Sequence, residues 1–323
     1  MEDSEPRLTE EQDFRLRKAL KEMPSHVLHQ LADKYEVEIS PEAMDIYEIV
    51  DSFVDEASIA AKREILSQYG DAGKASSFVF MSREKTPLIQ TVFPRAKTLK
   101  DYKPESQLWE SYPYFDEVEV DHLTRTLRIR FHYLRGSIPL IDESTGRPKQ
   151  FRQYWTGVIV YRPESKMLEI RTKHPSMARK LSARIPASLG LEPFYSPNLM
   201  DRKMNERFIE WIKSLNSATI ELPITEISGS LVITARKGMD LRTAKRYQDE
   251  LKYGRLRHGH VTIEPEDRGK INFHIYFRNC HIKYTLLTSE SDIDYVVDAL
   301  ERIFEGHEFE KPEALLKYLG KGT

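Results

Sequence analysis

The chain of 323 residues carries a formal net charge of −2, and 40% of its residues are hydrophobic, 31% charged and 10% aromatic. This length suggests two domains, or one large domain with an appendage, and the aromatic content excludes wholesale disorder. No segment approaches the ~20 apolar residues of a membrane span, and no apolar signal-peptide core follows Met1, so we expect an intracellular protein (cytoplasm, nucleoid or nucleus) without a membrane partner. The single cysteine, Cys280, excludes an internal disulfide framework and a cysteine-rich zinc site.

The first 75 residues predict a helical bundle. Thr9, with Gln12 three residues later, has the spacing of a capping box at the start of a first helix. Pro24 separates this helix from a second one, Pro41 opens a third helix and Gly70 ends a fourth. Apolar residues lie at helical spacing between these boundaries, so we expect the four helices to pack into one compact unit.

Residues 76–114 predict an irregular connection after the bundle. The segment opens with a short run, Phe78-Val-Phe80, that suits a strand or an extended entry. Beyond it, Pro94, Pro104 and Pro113 stand among many polar residues, and a proline interrupts both helices and strand ladders. We therefore expect little regular structure between the bundle and the strands that follow.

Hairpins followed by helices occur twice in the remaining chain and predict an α+β fold. The first half, 115–216, has strands and then helices, with strands at 118–120, 127–133, 154–161 and 167–171 and helices at 176–184 and 200–215. The second half, 217–323, repeats the theme, with strands at 231–234, 259–265, 271–278 and 281–287 and helices at 241–252, 291–304 and 312–319. This order predicts an antiparallel sheet with helices on one face, and the two halves suggest a degenerate duplication.

Charge is balanced overall but distributed unevenly along the chain. Residues 145–185 contain ten basic and two acidic side chains, and residues 236–260 contain eight basic and three acidic ones. Residues 1–75 and 286–323 are acidic, with net charges of −9 and −5. Two basic segments between acidic ends are typical of a protein that binds a polyanion, although pairing of the basic segments with the acidic ends in the fold would give the same pattern.

The predicted strand at 127–133 places basic residues on one face. Because side chains alternate along a strand, Arg128 and Arg130 point away from the core that the intervening apolar residues enter. A row of solvated arginines on an open sheet face can follow the phosphates of a nucleic acid. The alternative is that these arginines pair across strands with Glu117 and Glu119.

Histidines near the C-terminus offer an alternative, catalytic site. His258, His260 and His274 suit a phosphoesterase that acts through paired histidines. Together with Cys280 and His281 they also suit a metal site, because all are metal-ligand types. Both interpretations require a hairpin register that places His260 and His274 on the same face of the sheet.

Other catalytic patterns are weaker or missing from the sequence. A metal-dependent nuclease needs paired acids with a lysine, and Asp142-Glu143 with Glu169-Ile-Arg171 is the nearest match, with arginine in place of lysine. No Gly-x-Ser-x-Gly, Walker A or Gly-x-Gly-x-x-Gly motif occurs, so these routes to acyl transfer and nucleotide binding are unsupported.

Four stretches in the first 172 residues carry a family resemblance. In 14–31 a basic helix runs into Ala-Leu-Lys-Glu-Met-Pro and then Val-Leu-His-Gln-Leu. The next stretch is Phe78-Val-Phe-Met-Ser-Arg83. The hairpin 117–131 and the strand 154–161 follow, separated by an insertion at 135–150 that departs from the family pattern. Together these stretches resemble the centromere protein N family of the inner kinetochore.

The resemblance implies a death-fold-like helical bundle joined to an α+β module related to the TATA-binding-protein fold. It implies nucleosomal DNA bound in a basic groove between the two domains, and dimerisation with a paralogue through the C-terminal part. On the bundle, the bases that match are those of the first helix: Arg15, Arg17, Lys18 and Lys21. The basic residues of the sheet would lie across the groove from them.

We therefore expect a non-enzymatic DNA-binding or scaffold protein that contacts the phosphate backbone and needs no cofactor and no metal. The candidate DNA-binding residues are bases of the first helix and of the sheet: Arg15, Arg17, Lys18, Lys21, Arg128, Arg130, Arg147, Lys149, Arg152, Arg171 and Lys173. One alternative is a metal- or histidine-dependent hydrolase of nucleic acid or phosphoesters. A second alternative is an assembly module that forms homo- or heterodimers through its C-terminal sheet and the helix at 291–304.

Overall fold

A computed structural model describes residues 7–39, 45–70, 76–101, 113–122, 125–141, 148–197, 199, 201–222, 229–236, 239–266, 269–284 and 288–304. The α-helices are α1 (Glu10–Lys21), α2 (Ser25–Lys34), α3 (Ile46–Glu56), α4 (Ile59–Tyr69), α5 (Ile89–Thr98), α6 (Pro175–Leu189), α7 (Arg202–Trp211), α8 (Gln248–Tyr253) and α9 (Glu290–Phe304). The strands are β1 (Ser76–Met81), β2 (Pro113–Asp121), β3 (Thr126–Ile141), β4 (Pro148–Arg162), β5 (Met167–Arg171), β6 (Ser214–Leu222), β7 (Gly229–Thr234), β8 (Arg255–Ile263), β9 (Ile271–Tyr276) and β10 (His281–Tyr284). No helix among these combines the length and the apolar character that a bilayer span requires.

Helices α1–α4 form the bundle at the start of the chain. The Thr9 side chain accepts a hydrogen bond from the Gln12 backbone N–H, and the Gln12 side chain accepts one from the Thr9 backbone N–H, so the predicted capping box is confirmed. All four helices contribute buried apolar side chains to one core. Helix α3 begins at Ile46 with Asp45 as its cap, and its predicted start at Pro41 lies outside the described residues.

The strands form one antiparallel sheet of ten strands in the order β2-β3-β4-β5-β1-β10-β9-β8-β6-β7. Helices followed by this sheet confirm the α+β fold class. Strand β1 lies at the centre, where it pairs with β5 of the first half and with β10 of the second half. The strand or extended entry predicted at Phe78–Phe80 is present as β1, whereas the irregular structure expected around Pro94 is absent, because α5 continues through Pro94.

The two faces of the sheet are covered by different helices. Because side chains alternate along β1, Phe78 and Phe80 mark one face, called here the Phe78 face, and Val79 and Met81 mark the other, the Val79 face. Helices α5 and α6 cover the Phe78 face of β2–β5, whereas α7 and α9 cover the Val79 face of β6–β10. The prediction that all helices lie on one face is wrong, since each half of the sheet carries its helices on a different face.

Helix α9 packs inward as its apolar pattern predicts. Its buried apolar side chains all belong to the core on the Val79 face: Ile293, Val296, Val297, Leu300 and Ile303. These side chains are therefore committed to the core of their own chain rather than to a dimer interface. The bundle lies beside α9, because α4 contacts it, and covers the Val79 face of β2–β5.

Several boundaries differ from the sequence-based predictions. The helix predicted at 200–215 ends at Trp211, because the residues after Ser214 alternate toward the core as strand β6. Helix α6 continues through Pro186, which is itself buried against the sheet, and ends where Gly190 adopts a left-handed conformation. In the segment predicted as a helix at 241–252, only its end is α-helical, as the start of α8. The helix predicted at 312–319 lies outside the described residues.

Gly157 on β4 allows the Phe131 ring of β3 to lie across the strand. A Cβ atom at this position would lie 2.4 Å from Phe131 Cζ and 2.6 Å from the backbone oxygen of Arg171. We expect Gly157→Ala to lower the free energy of unfolding by about 1–3 kcal/mol, measured by urea denaturation. The matched control is Gly269→Ala, whose Cβ would meet no described atom within 4 Å. Equal stability of the two variants would contradict the close packing around Gly157.

Candidate functional site

A cleft of about 520 Å³ separates α1 from the Val79 face of the first half of the sheet. One wall is the side of α1 that carries Phe14, Arg15 and Lys18. The opposite wall is formed by side chains of β2–β5. The cleft thus lies between the bundle and the α+β part of the chain, which is where the family resemblance implies a DNA-binding groove.

The α1 wall of the cleft is basic. Lys18 Nζ lies 3.4 Å from Thr156 Oγ1 on β4, and Arg15 Nη1 lies 3.7 Å from Glu117 Oε2 on β2. Among the described residues no acid forms an ion pair with Lys18. Phe14 lies beside these bases with 67% of its surface exposed. Lys18 therefore contributes positive charge to the cleft that no described acid neutralises.

The wall formed by the sheet carries two further candidate bases, of which one is paired with acids and the other is not. Arg130 Nη1 lies 2.6 Å from Glu117 and 2.9 Å from Glu119, as cross-strand pairing predicts. Lys173, which is exposed just after β5, holds its Nζ 4.6 Å from the centre of the Trp155 ring. No ion pair joins Lys173 to any acid of the described chain. Lys173 thus lines the cleft, but its ammonium group lies over Trp155, whose ring packs against the core on the Phe78 face.

Aromatic side chains line the rim of the cleft next to these bases. Tyr114 of β2 stacks on His132 of β3 with ring centroids 5.1 Å apart, and Tyr154 of β4 meets the same imidazole edge-on at 5.1 Å. Both tyrosines are exposed. His132 Nδ1 lies 2.7 Å from Asp116 Oδ1, which fixes the orientation of the ring. Exposed aromatic rings among bases are typical of surfaces that contact nucleic acids.

Arg17 and Lys21 of α1 contact the bundle rather than the cleft. Arg17 Nε lies 3.0 Å from Asp13, and its guanidinium also pairs with Asp51. The hydrogen bond with Asp13 is the main cause that raises the pKa of Arg17. Lys21 Nζ lies 4.5 Å from the centre of the Tyr47 ring. Residues three or four positions apart lie on the same face of a helix. Lys21 therefore lies on the same face of α1 as Arg17, toward the bundle, and Lys18 lies on the same face as Arg15, toward the cleft.

Arg128 and Arg171 were expected to be solvated phosphate contacts, and this expectation is wrong. They are 6% and 3% exposed, respectively. Arg128 Nη1 lies 3.0 Å from Glu290 Oε2, and Arg171 Nε lies 2.8 Å from Glu169 Oε1. The physical reason is that α9 begins over this part of the Val79 face and Glu290 reaches both guanidinium groups. These arginines hold the fold together and are not available to a ligand.

The two arginines belong to a larger buried ion-pair network. Its members are three arginines and three acids: Arg128, Arg162, Arg171, Glu169, Glu290 and Asp294. Burial alone would raise the pKa of Glu169, but Arg171 and Arg162 lower it to about 2, and Ser77 adds a hydrogen bond. Glu169, one of the acids of the nuclease alternative, therefore has a structural role, and Asp142-Glu143 lies outside the described residues.

Two of the remaining candidate bases, Lys149 and Arg152, belong to the outer part of the β3–β4 hairpin. Arg147 lies outside the described residues. Lys149 and Arg152 lie on β4, opposite Leu140 and Ser137 of β3. Their positions precede Tyr154, the first β4 residue that lines the cleft. The backbone thus places them on the hairpin that extends beyond the cleft.

The candidate catalytic histidines do share one face of the sheet, as His260 pairs directly with His274. His274 Nδ1 also lies 3.3 Å from His258 Nε2. Within the described ranges, however, no group of three or more His, Cys, Asp or Glu side chains is arranged to hold a metal ion. Cys280 is fully buried, and burial raises the pKa of its thiol far above the usual value, which opposes a role as a nucleophile.

Comparison with protein-family models and with curated proteins gives no relative from which a function could be transferred. The chain matches no protein-family model, and no curated protein is significantly similar to it. The resemblance to the centromere protein N family therefore stays a prediction based on short stretches of sequence.

Proposed function

We propose that the protein is a non-enzymatic DNA-binding scaffold that holds the phosphate backbone in the cleft between α1 and the sheet. The observation that carries this proposal is the placement of Lys18 and Lys173 on opposite walls, where neither pairs with an acid of the described chain. A lysine ammonium group that no acid neutralises can contact a phosphate of the nucleic-acid backbone. Such contacts give affinity that does not depend on the base sequence.

The other bases of the cleft support this role to different degrees. Arg15 lies at 3.7 Å from Glu117, a longer distance than that of a strong charge-assisted hydrogen bond, so a phosphate can compete for it. Arg130 is held more tightly by the same carboxylate at 2.6 Å. We therefore expect the order of importance for DNA binding to be Lys18 and Lys173, then Arg15, then Arg130.

A DNA partner would place the protein in the nucleoid or the nucleus. Dimerisation through the C-terminal half stays a prediction of the resemblance. The part of this half that supports it best is β7, the last strand of the described sheet, because the outer edge of a terminal strand can pair with another chain.

Charge reversal of the two cleft lysines tests the proposal. We expect Lys18→Glu/Lys173→Glu to weaken binding to a labelled DNA duplex at least 10-fold at low salt. The log–log salt slope should also become shallower by about 0.9 for each phosphate that the variant no longer neutralises, so by about 2 in total. The measurement is fluorescence anisotropy at several salt concentrations, with and without Mg²⁺, followed by a gel that detects cleavage.

The matched control is Lys100→Glu/Lys203→Glu, which makes the same change in net charge at exposed sites outside the cleft. This control should keep the parental affinity and slope. Equal weakening in both variants would mean that net charge, not the cleft, attracts DNA. Unchanged binding in the cleft variant would refute the proposed site, and cleaved DNA would favour the hydrolase alternative.

A further inference from the structure

A continuous row of aromatic side chains crosses the Phe78 face of β8, β9 and β10. His281 stacks on Phe78 of β1 with ring centroids 4.2 Å apart, and Tyr276 stacks on His281 at 4.9 Å. The ring centroids of His258 and Tyr276, which pair across β8 and β9, lie 4.6 Å apart. In the next pair on the same face, the rings of His260 and His274 stack with centroids 4.3 Å apart. We call this set the histidine row: His258, His260, His274, Tyr276 and His281.

This part of the sheet face is open in the described structure. The adjacent helices α7 and α9 bury their apolar side chains on the Val79 face, and α5 and α6 lie over the first half of the sheet. Tyr276 is exposed, and the four histidines are partly exposed. Strands β6–β10 contain one acid, Glu221, and three bases: Arg255, Arg257 and Lys283. The face is therefore aromatic, and its strands carry a net positive charge.

The histidines of the row are neutral near pH 7. Burial lowers the pKa of all four, and for His274 and His281 the value falls to about 4, with Lys283 as a further cause. A neutral imidazole is a flat aromatic surface whose ring nitrogens can donate and accept hydrogen bonds at its edge. The row therefore acts as a set of stacking planes, while positive charge comes from the neighbouring lysine and arginines.

The row ends at its border with β6, where the cross-strand partners of His258 and His260 have short side chains. His258 and His260 pair across strands with Thr219 and Ser217, whose side chains are shorter than an imidazole. The next strand, β7, presents Val232, which is 70% exposed and lies opposite Thr219. Strand β6 lies between β8 and β7, so the backbones that carry the imidazoles and Val232 are two strand spacings, about 9.6 Å, apart. A stacked base occupies about 3.4 Å, so the trough above Ser217 and Thr219 has room for one layer of bases.

We propose that the histidine row binds single-stranded nucleic acid, with unpaired bases stacked on the outer ring faces of His258 and His260. Lys283, beside His274, would contact a phosphate, and Arg257, whose Nε lies 3.9 Å from Glu221 Oε2, would exchange this carboxylate for a second phosphate. Unpaired bases are required because the faces of paired bases are already stacked within a duplex. The row lies on the opposite face of the sheet from the cleft, so this inference does not depend on the function proposed for the cleft.

Two double variants of His258 and His260 separate the contribution of stacking to oligonucleotide binding from the contribution of charge. We expect His258→Ala/His260→Ala to weaken binding of labelled oligo-dT and oligo-rU of about 16 nucleotides by roughly 10- to 100-fold. His258→Phe/His260→Phe keeps a flat ring at both positions and should bind within a few-fold of the parent. Both variants should keep the far-UV circular dichroism spectrum and the cooperative urea unfolding of the parent, which shows that they are folded whether or not the cleft binds DNA.

Each result of this experiment has a definite meaning. Weakened binding by the alanine variant with retained binding by the phenylalanine variant supports stacking, and the ratio of the dT and rU affinities tells whether the 2′-hydroxyl is read. Equal binding by the parent and the alanine variant overturns the proposal. No oligonucleotide binding, combined with self-association that the alanine variant abolishes, also overturns it and assigns the face to a protein contact. The cleft variant Lys18→Glu/Lys173→Glu should keep oligonucleotide binding, so failure of one proposal leaves the other testable.

Discussion

Replacing Glu169 with alanine should lower the free energy of unfolding by about 3–5 kcal/mol. Glu169 is fully buried, and its carboxylate lies 2.8 Å from Arg171 and 3.3 Å from Arg162. Without it, two buried guanidinium groups lose their shared partner, and neither can lose its proton at neutral pH. The effect is measured as a shift of the urea-unfolding midpoint at pH 7, followed by circular dichroism.

The matched control for this prediction is an acid in an exposed ion pair. Glu206 pairs with Arg202 on α7 at 3.0 Å, and both side chains are more than half exposed. Glu206→Ala should therefore change the stability by less than about 0.5 kcal/mol. Glu169→Gln keeps hydrogen-bonding capacity and should fall between the two. If Glu169→Ala proved as stable as Glu206→Ala, the network would have no role in holding α9 on the sheet.

Acidification should destabilise the protein between pH 6.5 and about 4, and the histidine row is the cause. In the folded chain the pKa of His274 and of His281 is lowered from 6.5 to about 4, first by burial and then by the charges of Lys283 and neighbouring histidines. The unfolded chain binds protons below pH 6.5 that the folded chain accepts only near pH 4. Stability is therefore complete above pH 6.5 and is lost as the pH falls through this window.

The expected decrease is about 1 kcal/mol for each of these two histidines after a discount for solvent screening, so about 2 kcal/mol together. The measurement is the free energy of unfolding in urea at intervals of pH. His274→Phe/His281→Phe should flatten the curve between pH 6.5 and 4.5, whereas His26→Gln/His29→Gln, which removes two exposed histidines of α2, should not. A parental curve that is already flat in this window would contradict the prediction. Destabilisation below pH 4.5 has a separate cause, the protonation of paired carboxylates such as Glu169.

Local sequence signals predicted those elements whose structure depends on near neighbours. The capping box at Thr9 and the alternation along β3 are complete within a few residues, and both are present. The central position of β1 has no such signal, because its place depends on pairing with β5 and β10. Strand β6 has no counterpart among the predicted elements, because its first two residues were included in the helix predicted at 200–215 and its remaining residues were assigned to no element.

The part of the candidate site that the sequence could predict is the wall formed by α1, because helical periodicity determines which residues share a face. Arg15 and Lys18 share one face of α1, and both line the cleft. Arg128 showed the pattern of an exposed strand residue, yet its partner Glu290 comes from a helix that is distant in sequence. The spacing of Glu290 and Asp294 places two acids on one side of α9, but the helix predicted at 291–304 began one residue too late to include Glu290. The stacking in the histidine row likewise depends on strand register, which the sequence left open.

The central place of β1 has a consequence for biosynthesis. The bundle is built from helices that are adjacent in sequence and can fold as soon as it leaves the ribosome. Strand β1 follows directly, but β10, which protects one of its edges, is translated about 200 residues later. At about 5–20 residues per second, that edge of the nascent chain waits roughly 10–40 s for its partner. The strand that joins the two halves of the finished protein thus has an unpaired edge during most of its synthesis, and an unpaired strand edge favours aggregation.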